Sequence, residues 1–221
     1  MKKVIIGILI FILLAILIAS SIILISGYVK YKDAIDKASL SDAVNNIRSS
    51  KNYVKSEDMS PDFKAALIAI EDHRFYTHSG IDIFATIHSI FVDITGGSFE
   101  YGGSGISQQT GRLLYFTQER TPVRKVAELF VAIDLEKNYS KDEILEFYAN
   151  MIYYGDGYTG IGKAAKGYFN KTPAELTKDE AAFLAGVPNA PSIYSVNNEL
   201  GNERKQQVLD AMDKYKDEIY K

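Results

Sequence analysis

The sequence contains no cysteine, which excludes disulfide bonds and thiolate metal sites. It has no excess of basic residues either, because 25 lysines and arginines face 28 aspartates and glutamates, for a formal net charge of −3. Generic nucleic-acid binding requires a basic face, so we expect no nucleic-acid partner. No alternating run of apolar and polar residues is long enough for a sheet, which favours a mainly α fold. The charge balance still allows a local basic patch for an anionic ligand.

The longest apolar run, residues 4–25, lies near the N-terminus and is interrupted only by Gly7, Ser20 and Ser21. At a helical rise of 1.5 Å per residue it is about 33 Å long, enough to span the hydrocarbon core of a bilayer. The main alternative is a cleavable signal peptide, whose apolar region would be only about 7–15 residues long. The continuation of the run to Ile25 favours an uncleaved, single-pass anchor.

Charge next to this run predicts how the chain is oriented and divided. Lys2 and Lys3 precede the run and indicate a cytoplasmic N-terminus in the cytoplasmic membrane. The globular part would then lie outside the cytoplasm. We predict an anchor at residues 1–27, a polar, helix-prone stalk at 28–59 and a globular domain at 60–221.

Capping residues mark where the helices of the globular part begin. Serine or threonine followed by proline at Ser60-Pro61 and Thr121-Pro122 predicts two helix starts. Capping boxes, in which the N-cap hydroxyl is followed three residues later by glutamate, predict further starts at Ser140–Glu143, Thr172–Glu175 and Thr177–Glu180. A final, mostly polar helix is predicted for residues 199–220.

An apolar segment, residues 65–70, leads directly into the polar cluster that begins with Glu71 and Asp72. A helix that is apolar on most faces is usually buried, and acids rarely enter a core without a partner. Glu71 is therefore expected to be paired or to lie at the wall of a cleft, where desolvation would raise its pKa and suit it to act as a base. The alternative is a helix end in solvent, with Glu71 and Arg74 as a surface pair.

Glycine, serine and glutamine dominate the segment that follows. Five glycines crowd into ten residues, 96–105, and predict either a mobile functional loop or a plain flexible connector. Ser104, Gln108 and Gln109 then offer several neutral hydrogen-bond donors and acceptors.

A cationic run comes next, formed by Arg112, Arg120, Arg124 and Lys125. Arginine and lysine bind phosphate oxygens, and the start of the helix after Thr121-Pro122 also favours anions. The run therefore predicts an anion site. The alternative is that Arg124 and Glu128 form an ordinary ion pair on a solvated helix face. On the same helix, an apolar stripe is formed by Val126, Leu129, Phe130 and Ile133.

Four blocks resemble, in order, the motifs of the peptidoglycan glycosyltransferases of family 51, the lysozyme-like transglycosylase domain of class A penicillin-binding proteins. E-D-H-R-F-Y-T-H-S-G-I-D at 71–82 is similar to E-D-x-x-F-x-x-H-x-G, and G-G-S-G-I-S-Q-Q at 102–109 is similar to G-G-S-T-I-T-Q-Q. R-K-V-A-E at 124–128 resembles R-K-x-x-E, and K-D-E-I-L-E-F-Y-A-N at 141–150 resembles the fourth motif. Four matches in register are a specific signal.

This resemblance implies a reaction and roles for the matched residues. The family extends glycan strands by transferring a lipid-pyrophosphate-linked glycan to the 4-hydroxyl of GlcNAc of lipid II, with inversion to a β-1,4 bond. Glu71 would be the general base and Glu128 the second catalytic glutamate. The residues assigned by resemblance to substrate binding are Asp72, Phe75, Ser104, Gln108, Gln109, Arg112, Arg120, Arg124 and Lys125.

The resemblance also implies partners. These are lipid II, the lipid-linked glycan chain, the membrane and other proteins of cell-wall synthesis, with a divalent cation, Mg²⁺ or Mn²⁺, to neutralise the pyrophosphate. No S-x-x-K or K-T-G motif is present, which predicts a monofunctional transglycosylase. A lytic, lysozyme-like hydrolase and a weakly active or non-catalytic membrane scaffold are the alternatives.

Several positions depart from the family pattern. Gly105 and Ser107 replace the two usual threonines of the second motif, and Thr110-Gly111 replaces a more helix-compatible pair. Arg112 stands where lysine is usual, and the two cations bind phosphate differently. We expect these changes to affect affinity for the donor and processivity more than the class of reaction.

Overall fold

The computed structural model describes residues 2–80, 104–117, 119, 121–194 and 198–220. In these ranges the chain folds into helices without a strand, and an isolated antiparallel bridge joins Tyr153 to Thr159. The predicted mainly α fold is confirmed. The helices are α1 (Lys2–Lys37), α2 (Leu40–Arg48), α3 (Pro61–Glu71), α4 (Ile106–Tyr115), α5 (Pro122–Asn138), α6 (Lys141–Met151), α7 (Ile161–Phe169), α8 (Lys178–Gly186), α9 (Glu199–Lys214) and α10 (Lys216–Ile219). Short 3-10 turns lie at Ser56–Asp58, Pro173–Glu175 and Val187–Asn189.

Helix α1 contains the apolar run and continues without a break into the predicted stalk. It is long and apolar enough to cross a membrane, and its large side chains from Val4 to Ile25 are mostly exposed. Apolar residues exposed around a whole helix are typical of a segment that contacts lipid. These features fit a membrane anchor, whereas the limits of the three predicted segments stay a prediction.

Beyond the apolar run, α1 packs against α5. The backbone of Gly27 approaches α5 so closely that a Cβ atom there would lie 2.4 Å from Cγ1 of Val126. One turn after Val126 on α5, the ring of Phe130 lies 5.2 Å from the ring of Tyr28 and 5.5 Å from that of Tyr31. The Tyr31 hydroxyl donates a hydrogen bond to Asp134, so the contact extends over more than two turns of α5.

Helix α5 has two packed faces. The apolar stripe predicted from the sequence contains Val126 and Phe130, and these two side chains pack on α1, whereas Ile133 is largely exposed. The face that enters the core is formed by Arg124, Ala127, Glu128, Val131, Ala132 and Leu135. Alanine and charged residues on the core face weaken the apolar signal there, which explains why the periodicity pointed to the other stripe.

The centre of the core is α3, which packs against α8 and α9. Every side chain from Ala65 to Ile70 is buried, as expected for a helix that is apolar on nearly all faces. The N-cap Ser60 accepts a hydrogen bond from the backbone N–H of Phe63, as predicted. At the other end, Asp72 leaves the helical conformation, so that Glu71 is the last residue of α3.

The other predicted caps also form. Thr121 caps α5, and all three predicted capping boxes are present with both of their reciprocal hydrogen bonds, at Ser140–Glu143, Thr172–Glu175 and Thr177–Glu180. The final helix differs from the prediction, because Tyr215 divides it into α9 and the short α10.

Candidate active site

The first predicted site residue, Glu71, lies where α3 leaves the core. Its carboxylate is partly buried and accepts a hydrogen bond of 2.6 Å from Nε2 of Gln109 on α4. Burial raises the pKa of Glu71, while the Gln109 hydrogen bond and the positive charges of Arg204 and Arg112 act in the opposite direction. A carboxyl group with a raised pKa is suited to accept and release a proton near neutral pH.

Gln109 is fixed by two further hydrogen bonds. Its Nε2 also donates to the backbone oxygen of Ser104 at 3.0 Å, and its Oε1 accepts from the hydroxyl of Tyr148 at 3.1 Å. Tyr148 lies on α6 and is fully buried. Because both ends of the amide are bound, Gln109 presents its N–H to Glu71 in a single orientation.

The second predicted glutamate, Glu128, is buried on α5 with 2% of its surface exposed. It forms an ion pair with Arg124, itself buried, and accepts a hydrogen bond of 3.2 Å from Nε2 of Gln108. Burial raises the pKa of Glu128, and the charge of Arg124 opposes this shift. The alternative of an ion pair on a solvated helix face is therefore wrong, because both partners are inside the protein.

Helix α4 connects the two glutamates, since Gln108 contacts Glu128 and its neighbour Gln109 contacts Glu71. Successive residues of an α-helix are about 100° apart, so Arg112 is about 40° from Gln108 and about 60° from Gln109 around the axis. Arg112 thus lies between the two glutamines, on the face of α4 that carries both contacts. Its charge opposes the rise in pKa that burial causes at both Glu71 and Glu128, as expected for a cation between them.

The side chain of Arg112 makes no hydrogen bond or ion pair with any residue that the structure describes, and its Nε is buried without a partner. A buried polar group without a hydrogen bond is costly, because it has lost its contacts with water. Among the described cations, the guanidinium group of Arg112 is therefore a candidate for binding an anionic ligand between the two glutamates.

A second cation lies nearby at the start of α5. Lys125 is exposed, and its Nζ is 3.4 Å from Oγ of Ser104. The backbone oxygen of Ser104 accepts a hydrogen bond from Gln109. Ser104 therefore connects Lys125 with Gln109, the partner of Glu71. The structure therefore brings Ser104, Gln108, Gln109, Arg112 and Lys125 together with both glutamates.

Asp72 and Phe75, also predicted to bind substrate, make contacts within the protein. Asp72 is 8% exposed, accepts a 3.0 Å hydrogen bond from the backbone N–H of Ile106, and pairs with Nε2 of His78 at 3.0 Å. It thus caps the N-terminus of α4 from outside that helix. Phe75 is fully buried, and Nζ of Lys141 lies 4.5 Å from the centre of its ring.

Arg120 and the glycines at 96–103 lie outside the described residues. Their predicted roles in pyrophosphate binding and in a loop over the site therefore stay predictions. The described part of the chain also contains no cluster of three or more histidine, aspartate or glutamate side chains that could hold a metal ion.

Two of the departures from the family pattern have a packing explanation. A Cβ atom at Gly105 would lie 2.5 Å from Oδ2 of Asp72, so glycine here allows Asp72 to approach the start of α4. A Cβ atom at Gly111 would lie 3.0 Å from Val131, so glycine here allows α4 and α5 to pack closely. Close packing beside Glu128 therefore explains a glycine inside α4 despite its low helix propensity.

Two further residues affect Glu71 that the sequence analysis did not single out. Tyr148 orients Gln109, and its place inside the fourth motif was an available signal. Arg204 of α9 is buried with 9% exposure, and its Nε donates to the backbone oxygen of Gly186 at 3.4 Å. Its positive charge lowers the pKa of Glu71. Because Arg204 belongs to a mostly polar helix, its burial had no signal in the sequence.

Comparison with known proteins gives consistent matches. The family model described as Transglycosylase matches residues 38–213. The chain is 40% identical over 161 residues to penicillin-binding protein 1F of Bacillus subtilis (strain 168), covering 72% of this chain and 22% of that protein. It is 43% identical over 171 residues to penicillin-binding protein 2D of the same organism, covering 76% and 25%. Penicillin-binding protein 1A of Neisseria lactamica is 40% identical over 164 residues, covering 73% and 21%.

The chain spans about a quarter or less of the length of these relatives. The family match, by contrast, extends from the end of α1 to the end of α9 and includes every described residue of the site. The fold prediction of a mainly α, lysozyme-like transglycosylase domain is confirmed by this match together with the helical structure. The chain belongs to the transglycosylase family.

Proposed function

We propose that this protein polymerises the glycan strands of peptidoglycan. It would transfer a glycan linked to lipid pyrophosphate, the donor, to the 4-hydroxyl of GlcNAc of lipid II, the acceptor, with inversion to a β-1,4 bond. One observation carries the proposal: two buried or partly buried glutamates flank Arg112, a cation without a partner among the described residues, on one face of α4. Family membership supports the same reaction.

Glu71 is the proposed general base. Its ionised carboxylate takes the proton of the acceptor hydroxyl, whose oxygen attacks the anomeric carbon of the donor sugar from the face opposite the pyrophosphate. The bond from this carbon to the pyrophosphate oxygen breaks, and its electron pair leaves with the pyrophosphate, which gives inversion. The raised pKa of Glu71 makes it a stronger base than an exposed glutamate, while Gln109 holds the carboxylate in place.

The leaving pyrophosphate is the proposed ligand of the cations. Arg112 and Lys125 would bind its oxygens, with the hydroxyl of Ser104 beside them. Arg124 is already paired with Glu128, so we assign it the role of keeping Glu128 ionised inside the protein. Because a pyrophosphate is a good leaving group, the reaction does not require a second carboxylic acid to protonate it, unlike glycoside hydrolysis.

A divalent cation, Mg²⁺ or Mn²⁺, is also part of the proposal. Such ions are commonly held by one or two carboxylates together with substrate phosphates and water, and the charge of Arg112 acts on the carboxylates of both Glu71 and Glu128. When bound, the ion would supply positive charge to the departing pyrophosphate.

The contact between α1 and α5 supports a membrane-embedded substrate. The continuous apolar run of α1 ends at Ile25, and the backbone of Gly27 approaches Val126, which is two residues after Arg124 and next to Lys125. The cationic start of α5 therefore lies close to the level at which α1 would leave the hydrocarbon. This is also the height of the pyrophosphate in a lipid-linked donor whose tail stays in the bilayer. We also propose an extracytoplasmic position of the site, supported by the charge of Lys2 and Lys3 before the apolar run.

The test is a polymerisation assay with the purified full-length chain in detergent. Labelled lipid II is supplied with Mg²⁺ or Mn²⁺, and the products are separated by length. We expect polymer from the wild type and from Glu57→Gln, a control at an exposed glutamate, and none from Glu71→Gln. Absence of polymer under every metal condition would refute the proposal. Cleavage of finished glycan would favour a hydrolase, and binding of lipid II without turnover would favour a scaffold.

A further inference from the structure

A third glutamate of this region, Glu136, is partly buried on α5 two turns beyond Glu128, and its side chain is 10% exposed. None of the motifs discussed above contains it. Three hydrogen-bond donors from three different parts of the chain converge on its carboxylate: Ser107 of α4, the backbone N–H of Gly80, and Lys141 at the start of α6. A carboxylate with this many donors joins the elements that supply them.

The bond from Ser107 fixes the rotation of α4 about its axis. Ser107 Oγ donates to Oε1 of Glu136, and Gly111, one turn later on the same stripe, packs against Val131. This stripe attaches α4 to α5. Gln108 and Gln109 follow Ser107 directly, so any rotation of α4 would move both amides away from the glutamates that they contact.

The bond from Gly80 fixes the other side of the site. Gly80 belongs to the segment that follows α3 and Glu71. Its backbone N–H donates to Oε2 of Glu136. Its φ of +61° favours glycine at this position. One carboxylate therefore holds both the segment after Glu71 and the helix that supplies the partner of Glu71.

Lys141 supplies the compensating charge. Its Nζ lies 2.7 Å from Oε1 of Glu136 and 4.5 Å from the centre of the Phe75 ring. An unpaired carboxylate in this position would be expensive, whereas the ammonium group allows Glu136 to stay ionised and to accept from all three donors.

We infer that Glu136 is a positioning residue for the transfer reaction, and that it acts through Ser107 and Gly80 to hold Gln109 against Glu71. This inference rests on the proposed function. Glu136 lies outside the four motifs that resemble those of the family. Ser107, which departs from the family pattern, would have the specific role of holding α4 through Glu136. Small displacements of a catalytic group reduce turnover strongly even when substrate binding is unchanged.

Three variants separate positioning from simple support of the fold. Ser107→Ala removes one donor without leaving a charge unpaired. Glu136→Gln keeps the shape but turns part of the acceptor into a donor that faces Gly80 or Lys141, neither of which can accept. Ser107→Thr keeps the hydroxyl and serves as the conservative rescue. Glu57→Gln, at an exposed glutamate, controls for the loss of one charge.

Two measurements are made on the full-length protein. Hydrogen–deuterium exchange of residues 106–112, without substrate, reports the order of α4. The polymerisation assay gives kcat and KM for lipid II. We expect Ser107→Ala and Glu136→Gln to exchange faster over α4 and to lose about 10-fold in kcat, with KM within about two-fold of the wild type. Ser107→Thr and Glu57→Gln should match the wild type in both measurements.

The outcomes distinguish the two proposals. Unchanged kcat in both Ser107→Ala and Glu136→Gln would overturn the positioning role, whatever the exchange data show. A loss of kcat in Ser107→Thr equal to that in Ser107→Ala would overturn the role of the hydroxyl. If the wild type makes no polymer, the proposed function fails, and faster exchange in the variants would still support the link between Glu136 and α4.

Discussion

Gln109 donates a hydrogen bond of 2.6 Å to the carboxylate of Glu71 and receives one of 3.1 Å from the hydroxyl of Tyr148. The proposed base is therefore oriented by an amide that is itself oriented by a buried phenol. The chain of contacts runs from α3 through α4 to α6, so three helices determine the position of one carboxylate. The contribution of each residue in this chain of contacts can be tested by substituting it.

Glu71→Gln should abolish activity while it stabilises the fold at neutral pH. Loss of a general base typically reduces turnover by about 10²–10⁴-fold, measured here as polymer formed from lipid II. Because the pKa of Glu71 is raised by burial, the folded protein binds this proton more readily than the unfolded chain. The contribution of Glu71 to stability therefore falls as pH rises between the unfolded and the folded pKa.

Thermal unfolding at two pH values checks the stability part of this prediction. Glu71→Gln carries no charge, so its melting temperature should exceed that of the wild type at pH 7, and the difference should vanish only once the pH is below the pKa of Glu71 in the unfolded chain. A variant that is less stable than the wild type at pH 7 would show that the ionised carboxylate is favourably bound, contrary to the direction given by its burial.

The rate of polymerisation should depend on pH through the same group. Only ionised Glu71 can accept the proton, so kcat should rise with pH and level off above the pKa of Glu71. Since burial raises this pKa, the acid limb should lie above about 4.3, the value for an unperturbed glutamate. Measurement of kcat at saturating lipid II between pH 4 and 9 gives the midpoint, and a midpoint at or below that of a free glutamate would contradict the assignment.

Tyr148→Phe should reduce turnover by a few-fold without loss of the fold. It removes the hydroxyl that fixes Oε1 of Gln109, and a buried hydrogen bond of this kind contributes about 1 kcal/mol. Tyr168→Phe is the matched control, because that hydroxyl donates to the backbone oxygen of Tyr154 at 2.8 Å and does not contact Gln109. Equal loss of kcat in the two variants would indicate a general effect on packing.

The local start signals of helices were predicted well from the sequence because they depend on only a few neighbouring residues. Ser60, Thr121 and the three capping boxes satisfy backbone N–H groups within their own first turn, and all of them form. The end of the last helix was predicted less well. The predicted helix is divided at Tyr215, whose ring stacks on His73 at 4.0 Å, a contact over a long sequence separation.

The sequence could not predict that Arg124, Glu128, Arg204 and Glu136 are shielded from solvent. The spacing of Arg124 and Glu128 is the same for a surface pair and a buried pair, and only the packing of α4 against α5 decides between them. Arg204 and Glu136 likewise lie on helix faces whose surroundings are set by distant segments. The roles of Glu71 and Glu128 came from resemblance, whereas the contacts of Gln108 and Gln109 with them came from the structure.

Glu128→Gln should destabilise the protein, in contrast to Glu71→Gln. It leaves the buried guanidinium of Arg124 without a compensating charge, and removal of one partner of a buried ion pair commonly costs about 3–5 kcal/mol. Denaturant unfolding measures this loss. The double variant Arg124→Met with Glu128→Leu should recover much of the stability without recovering activity. No recovery in the double variant would show that the side chains act independently.

Gly27→Leu should weaken the attachment of α1 to α5 and lower activity in liposomes. Helix propensity alone would predict that replacing glycine stabilises α1 by about 1 kcal/mol. Packing predicts the opposite, because a Cβ atom at this position would lie 2.4 Å from Val126 Cγ1 and 3.1 Å from the backbone oxygen of Val123. The displaced helix would also lose the bond from Tyr31 to Asp134.

The matched control is Gly7→Leu, since a Cβ atom at Gly7 would have nothing within 4 Å. We expect Gly7→Leu to leave polymerisation and melting temperature unchanged, whereas Gly27→Leu lowers both. If Gly27→Leu polymerises lipid II in liposomes as fast as Gly7→Leu, the contact between α1 and α5 does not set the height of the site, and the anchor acts only as a tether.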